Sequence, residues 1–169
     1  MTTPFTLSPL RAHRSGLQRR HLLAGLPALA AALAAPRLVR AAPATPVEIW
    51  KDPSCGCCED WANHMKQAGF PVQIHPEGNT AKRAAVGMPA QLGSCHTAMV
   101  AGYAIEGHVP AREVLRLLRE RPQAIGLTVP GMPVGSPGMD GAIYQGRKDA
   151  YAVLLVARNG STSVFQTYR

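Results

Sequence analysis

The sequence predicts an α/β domain: a mixed β-sheet flanked by helices and closed by a C-terminal β-hairpin. Three observations carry this. Short alternating, β-branched runs are separated by stretches with apolar residues at helical spacing. Asn159-Gly160 stands between two such runs, a strong hairpin signal. A cysteine-rich turn joins the first run to the first helical stretch.

Taken in order, Val47 to Trp50 alternates and reads as a short strand, left through the turn signal Asp52-Pro53. A helix is expected from about Gly56 to Ala68. Trp61, Met65 and Ala68 recur one turn apart on its buried side, and Gly69 caps its end. Pro71 to His75 is a second strand. Asn79 or Thr80 caps a shorter helix through Val86, stopped by Gly87 and Pro89. Thr97 to Val100 and Tyr103 to Val109 form a hairpin turning at Ala101-Gly102. Pro110 opens a helix with an apolar stripe of Val114, Leu115, Leu117 and Leu118, ended by Arg121 before Pro122. Gly126 to Asp140 reads as a Gly/Pro loop. Tyr151 to Ala157 and Ser163 to Tyr168 close the chain as a hairpin. The order strand, helix, strand, helix, hairpin, helix, hairpin resembles thioredoxin with a modified C-terminal end.

The first forty residues stand apart. A polar stretch ends at Arg19-Arg20, and Leu22 to Ala35 follows without a charge. That run is short of the about 20 apolar residues a membrane span needs. With the small-residue site Val39-Arg40-Ala41 it describes a cleavable export signal over 1–41, by the twin-arginine or the ordinary secretory route. The expected location is the periplasm, with no membrane span in the mature chain. Six of the 18 Lys and Arg fall in the leader and none of the ten acidic residues does. The net charge of +8 therefore drops to +2 in residues 42–169, twelve basic against ten acidic. No basic stripe survives to favour nucleic acid. The mature stretch is of ordinary size for one domain.

Four cysteines in an exported chain ordinarily mean two structural disulfides. Here Cys55, Cys57 and Cys58 crowd into four residues, a spacing that staples almost no loop. The scaffold reading survives mainly as Cys95 joined to one member of the cluster. At a strand-to-helix corner, backbone amides and the helix dipole favour thiolate, the form that attacks disulfides and binds metals. Glu59 and Asp60 in the first turn act against that charge. Cys55 and Cys58 alone have the spacing of a redox pair.

Cys95 is followed directly by His96. In a thioredoxin-like arrangement the segment leading into the third strand lies against the corner, so Cys95 adds a fourth sulfur and His96 a nitrogen. For His96 the alternative is a hydrogen-bonded strand residue. Met132 and Met139 sit on the Pro/Gly loop as soft thioether donors, or as plugs of the core beneath it. His108 reads better as a helix-start histidine bonded to backbone than as a ligand. His64 and Met65 read as structural, and His75 and Met88 carry no assignment.

Together Asp52-Pro53-Ser54-Cys55-Gly56-Cys57-Cys58, Cys95-His96-Thr97, Gly107-His108-Val109-Pro110 and Pro130-Gly131-Met132-Pro133 with Pro137-Gly138-Met139 resemble the CopG-like family. These are periplasmic metal-resistance proteins built on a domain of unknown function. The resemblance spans nearly all of Val47 to Tyr168. It implies a thioredoxin-like fold and copper(I) held by Cys55, Cys57, Cys58 and Cys95, with a part in copper resistance and redox activity. His96 and Met132 join the expected metal set, and Cys55 and Cys58 are the expected catalytic pair. The partners expected are metal ions and other periplasmic copper-handling proteins.

Two function classes compete. Soft thiolates select copper(I), and adjacent Cys57 and Cys58 suit a multi-metal cluster better than one tetrahedral zinc. The same thiols also describe a thiol–disulfide oxidoreductase with Cys57 or Cys95 resolving. A thioredoxin-like iron–sulfur carrier meets the count of four, but ferredoxin spacings are not matched.

Overall fold

Alternate residues of strand β1 (Val47–Lys51) are buried, and this alternation organises the sheet around it. The computed structural model describes residues 45–169; the leader expected at 1–41 lies outside the described residues. Strand β2 (Val72–His75) pairs with β1 in parallel, after the crossover helix α1 (Gly56–Gln67). Helix α2 (Thr80–Ala85) leads towards β3 (His96–Val100), which pairs with the other edge of β1 in antiparallel register. Strand β4 (Tyr103–Glu106) returns through Ala101 and Gly102, both at positive φ. That is the backbone of a type I′ turn, whose twist matches the strands it joins.

These four strands, in the order β2-β1-β3-β4, form the thioredoxin-like part of a seven-stranded sheet. Helix α3 (Ala111–Glu120) follows, and then β5 (Ala124–Thr128) lies parallel to β4. Strands β6 (Tyr151–Ala157) and β7 (Thr162–Tyr168) complete the sheet as the expected C-terminal hairpin. On one face, Trp61 and Met65 of α1 and Val114 and Leu117 of α3 pack on Val47, Ile49, Ala98, Val100, Ile105 and Leu127. The other face carries a smaller cluster of Met88, Ala104 and Val156. Among the described residues no helix is long and apolar enough to cross a membrane.

The structure departs from four expectations. Gly126 to Thr128 belongs to β5 rather than to the Gly/Pro loop, which begins only after the strand. The run Ala-Ile-Gly-Leu-Thr carries a strand-weakening glycine, so its pairing on both edges, not its propensity, makes it a strand. Strand β4 ends at Glu106 instead of continuing to Val109, and Pro110 is the N-cap of α3 rather than its first residue. Leu115 is 39% exposed, because the buried stripe of α3 runs through Ala111, Val114 and Leu117.

Gly126 is glycine because the neighbouring backbone leaves no room. A Cβ there would collide with the Ala104 carbonyl of β4. Gly126→Ala should therefore cost about 2 kcal/mol or more by separating β4 from β5. A denaturant midpoint within error of wild type would show that the strands accommodate a methyl group.

Candidate metal centre

The cysteine corner is built where β1 runs out. Asp52 accepts hydrogen bonds at Oδ1 from the Ser54 N–H (2.9 Å) and hydroxyl (2.6 Å), closing a tight turn. The Cys55 N–H donates to the Asp52 carbonyl at 3.1 Å, and Cys55 becomes the N-cap of α1. Beneath the turn lies Lys51, buried at the end of β1. Its Nζ donates to the Asp52 carbonyl at 2.9 Å and pairs with Glu59 at 3.0 Å. One ammonium thus braces the loop before the cysteines and the helical turn after them. It also offsets the Glu59 charge, which the sequence alone sets against thiolate formation.

Cys55 and Cys58 form a disulfide, with Cα atoms 5.5 Å apart. The bridge lies inside the cluster and does not link Cys95 to it. Cys57 and Cys95 are free thiols. Cys57 Sγ lies 3.5 Å from Cys55 Sγ and 4.0 Å from Cys95 Sγ, and all four sulfurs fall within 4.8 Å of one another. Cys58 is fully buried, with its sulfur 3.7 Å from the Cys95 carbonyl, whereas Cys55 is half-buried at the mouth.

Two imidazoles back this group from below. His108 Nε2 lies 2.9 Å from Cys95 Sγ, and its Nδ1 donates to the Pro137 carbonyl at 2.7 Å. A carbonyl can only accept, so this bond fixes the tautomer and leaves the Nε2 lone pair facing the sulfur. His96 Nδ1 lies 3.5 Å from the same sulfur, while its buried Nε2 has no hydrogen-bond partner. The His96 ring rests against Trp61 at 4.4 Å, whose indole N–H donates to the Val109 carbonyl at 2.8 Å. Cys95, His96 and His108 thus offer one sulfur and two nitrogens within 4.8 Å of one another.

Burial keeps these groups neutral. It pushes the Cys95 thiol up to about 12, helped by the adjacent Cys57. Burial lowers both histidines, His96 furthest, with His108 beside it adding to the effect. A cation at the mouth would reverse the preference of the thiol, since bound thiols ionise, and would reinforce that of the imidazoles, which bind metal in the neutral form.

The Gly/Pro loop closes over the corner. A Cβ on Gly138 would come within 2.6 Å of the Cys57 carbonyl oxygen and 3.3 Å of His108 Nδ1, so only glycine lets the loop descend this far. The two methionines part company there. Met139 is buried, with its sulfur accepting from the Tyr144 hydroxyl at 3.3 Å, while Met132 is 52% exposed.

Of the residues singled out from sequence, the fold brings Cys55, Cys57, Cys58, Cys95 and His96 together. His108 joins them as well. It bonds backbone as expected, and that bond aims its other nitrogen at Cys95. Its spacing of thirteen residues from Cys95 gives no local signal; the hairpin between them brings it back. The sequence carries no signal for Lys51 either, as a lysine at a strand end ordinarily points to water. His64 is structural, its Nε2 accepting from the Ala111 N–H at 3.0 Å, and Met65 is core. His75 stacks on Trp50, and Met88 fills the second cluster.

Comparison with known proteins adds a relationship to this geometry. The model of a family described as a protein of unknown function, DUF411, matches residues 92–139. A solved structure named copper resistance protein CopG, form 2, is 43% identical with a TM-score of 0.69. The alignment covers 75% of this chain and 99% of that one. Form 1 of a protein of the same name is 44% identical with a TM-score of 0.67, over 73% of this chain and 96% of that one. Among curated proteins none matches the chain.

The buried neutral histidines set a pH dependence for the metal-free protein. An unfolded chain takes up protons near the ordinary histidine value of 6.5, and the fold resists them. Stability should be flat above that pH and fall below it, by up to about 1.4 kcal/mol per pH unit for each histidine kept neutral. Urea unfolding between about pH 7.5 and 5.5 measures this, and His96→Gln should flatten the slope. A wild-type slope equal to the variant's would mean that His96 accepts its proton inside the fold.

Proposed function

The chain belongs to the CopG-like family of DUF411 proteins, and from that premise we propose that it is an exported copper-handling protein. It holds copper(I) on the Cys55-x-Cys57-Cys58 corner together with Cys95. One observation carries this reading: four sulfurs from two distant segments lie within 4.8 Å of one another, beside two imidazole donors. Thiolate is the soft ligand that selects copper(I) over harder ions. Adjacent Cys57 and Cys58 cannot readily turn both sulfurs to one tetrahedral ion, and suit bridging between several. His96 offers a further donor, its Nδ1 lying 3.5 Å from the Cys95 sulfur. His108 has the outer-shell support expected of a ligand, its second nitrogen held by a backbone carbonyl. Met132, 52% exposed on the same loop, offers a soft thioether to a metal arriving from solvent.

The Cys55–Cys58 disulfide makes the site switchable. An external dithiol converts the disulfide to two thiols, passing on two electrons and two protons and itself ending as a disulfide, and all four cysteines are then available as donors. Binding a metal would expel thiol protons, and exchange with an external disulfide, itself cleaved to two thiols, would withdraw two of the sulfurs again. That same disulfide favours the second reading, a thiol–disulfide oxidoreductase. Half-buried Cys55 would attack and buried Cys58 resolve, as the exposure of the two sulfurs allows. The roles are compatible, since one pair of thiols serves both.

An anaerobic titration of the reduced protein should take up more than one copper(I) per chain. Saturation at a single zinc with weaker copper(I) binding would overturn the cluster.

Cys57→Ser separates the two readings, because it removes one sulfur and spares the Cys55/Cys58 pair. Copper stoichiometry should fall while disulfide exchange with a small thiol survives. Unchanged copper uptake with exchange lost would make the oxidoreductase reading the primary one.

A further inference from the structure

Cys95 stands one residue before β3, outside any regular element, yet its sulfur meets a corner about forty residues earlier in the chain. A polar frame on the other side of the sheet grips this segment. Thr97 and Glu106 are cross-strand partners one residue out of phase with His96, so they face away from α1. Glu106 is fully buried. Its Oε1 accepts from the Ser94 N–H at 2.7 Å and from Arg83 Nε at 2.8 Å, and its Oε2 accepts from the Thr97 hydroxyl at 2.6 Å. Arg83 Nη2 donates to the Ser94 carbonyl at 2.5 Å, and Asn79 Nδ2 donates to the same oxygen at 3.2 Å. Ser94 and Thr97 are thus held by one carboxylate, with Cys95 and His96 between them.

Helix α2 is held to the sheet by the same polar contacts. None of its six residues is buried, so apolar packing does not account for its place. Its N-cap Asn79 makes no side-chain bond to the helix, and instead both Asn79 and Arg83 reach Ser94. Glu106 also lies two residues before His108, so one anchored strand end serves both the sulfur and the imidazole that faces it.

We propose that Glu106 and Arg83 are positioning residues for the Cys95 sulfur: their buried ion pair sets its approach to Cys57. Through it the pair decides whether the fourth sulfur joins the corner. The assignment rests on Cys95 belonging to the site, and its test uses no copper.

In protein carrying Cys55→Ser and Cys58→Ser, the two remaining thiols are Cys57 and Cys95. Oxidised glutathione joins them: a bond forms between the two sulfurs, their two hydrogens pass to glutathione, and its disulfide is cleaved to two thiols. The equilibrium constant in a glutathione buffer reads how closely the fold holds the sulfurs, 4.0 Å apart here. Glu106→Gln and Arg83→Met should each lower it roughly tenfold or more, with Arg83→Lys between them and wild type. In the complementary background, Cys57→Ser with Cys95→Ser, the Cys55–Cys58 constant should change by less than about twofold, as that pair is local to the corner. Where Arg83→Met fails to fold, Thr97→Val removes one bond to the same carboxylate and should give a smaller drop in the same direction. Glu113→Gln is the control: another buried carboxylate, bonded by Arg112 and Tyr168 away from the sulfurs, whose loss should leave both constants unchanged. A Cys57–Cys95 constant unmoved by Glu106→Gln and Arg83→Met overturns the proposal. So does an equal fall of both constants, or an equal fall in Glu113→Gln. A protein that takes up no copper(I) but loses Cys57–Cys95 pairing in Glu106→Gln would sink the copper reading and uphold this one.

Discussion

The antiparallel register of β1 and β3 is the constraint on which the centre depends. It places Lys51 opposite His96, so the end of one strand and the beginning of the other meet at the same edge of the sheet. The chain leaving β1 turns at once into the cysteine corner, and the chain arriving at β3 brings Cys95 alongside. A slip of one residue would turn every side chain of β3 to the other face. His96 would then leave Trp61, and Thr97 would leave Glu106. The buried Val47, Ile49, Ala98 and Val100 make such a slip costly, because it would carry apolar side chains away from α1 and α3. Apolar packing along the middle of the strands therefore enforces polar geometry at their ends.

That end of the sheet concentrates groups that are expensive to bury. Lys51, His96, Glu106 and His108 are all nearly inaccessible to solvent. Lysine and glutamate are compensated by ion pairs and hydrogen bonds, and His108 by a carbonyl. His96 alone retains an unmatched nitrogen. An uncompensated buried polar atom costs about 1–3 kcal/mol, which a fold tolerates where something else is gained. Here the nitrogen shares its ring with an atom facing the Cys95 sulfur.

The local features were legible in the sequence because their signals are local. The turn at Asp52, the helix start at the cysteines, the hairpin at Ala101-Gly102 and the closing hairpin all depend on neighbouring residues. The convergence of Cys95 on the corner followed from the order of elements once a thioredoxin-like arrangement was inferred. What stayed hidden depends on distant partners. β5 is a strand because β4 and β6 flank it, not because Ala-Ile-Gly-Leu-Thr favours one. Lys51 is the exception: its partners, the Asp52 carbonyl and Glu59, are near in sequence, but only the folded turn and helix start bring them round its ammonium. His108 faces Cys95 because Pro137, far along the chain, holds its other nitrogen. Loop composition likewise could not separate Met132 from Met139, since what differs is the neighbour each one finds.

Gly138 has a consequence for the order in which the molecule is assembled. The loop that carries it lies against Cys57 and His108, yet it arrives some eighty residues after the cysteine corner. A chain that has formed only β1, α1 and β2 already displays three clustered cysteines, without Cys95, His108 or the covering loop. Closing such long separations is slow compared with forming a helix or hairpin. In a chain folded only that far, the three sulfurs would lie open to any soft metal or oxidant. The covering loop would close over them afterwards. A cation held jointly by the corner and Cys95, as proposed above, would bind the finished fold better than the partial one and by mass action would favour that final step.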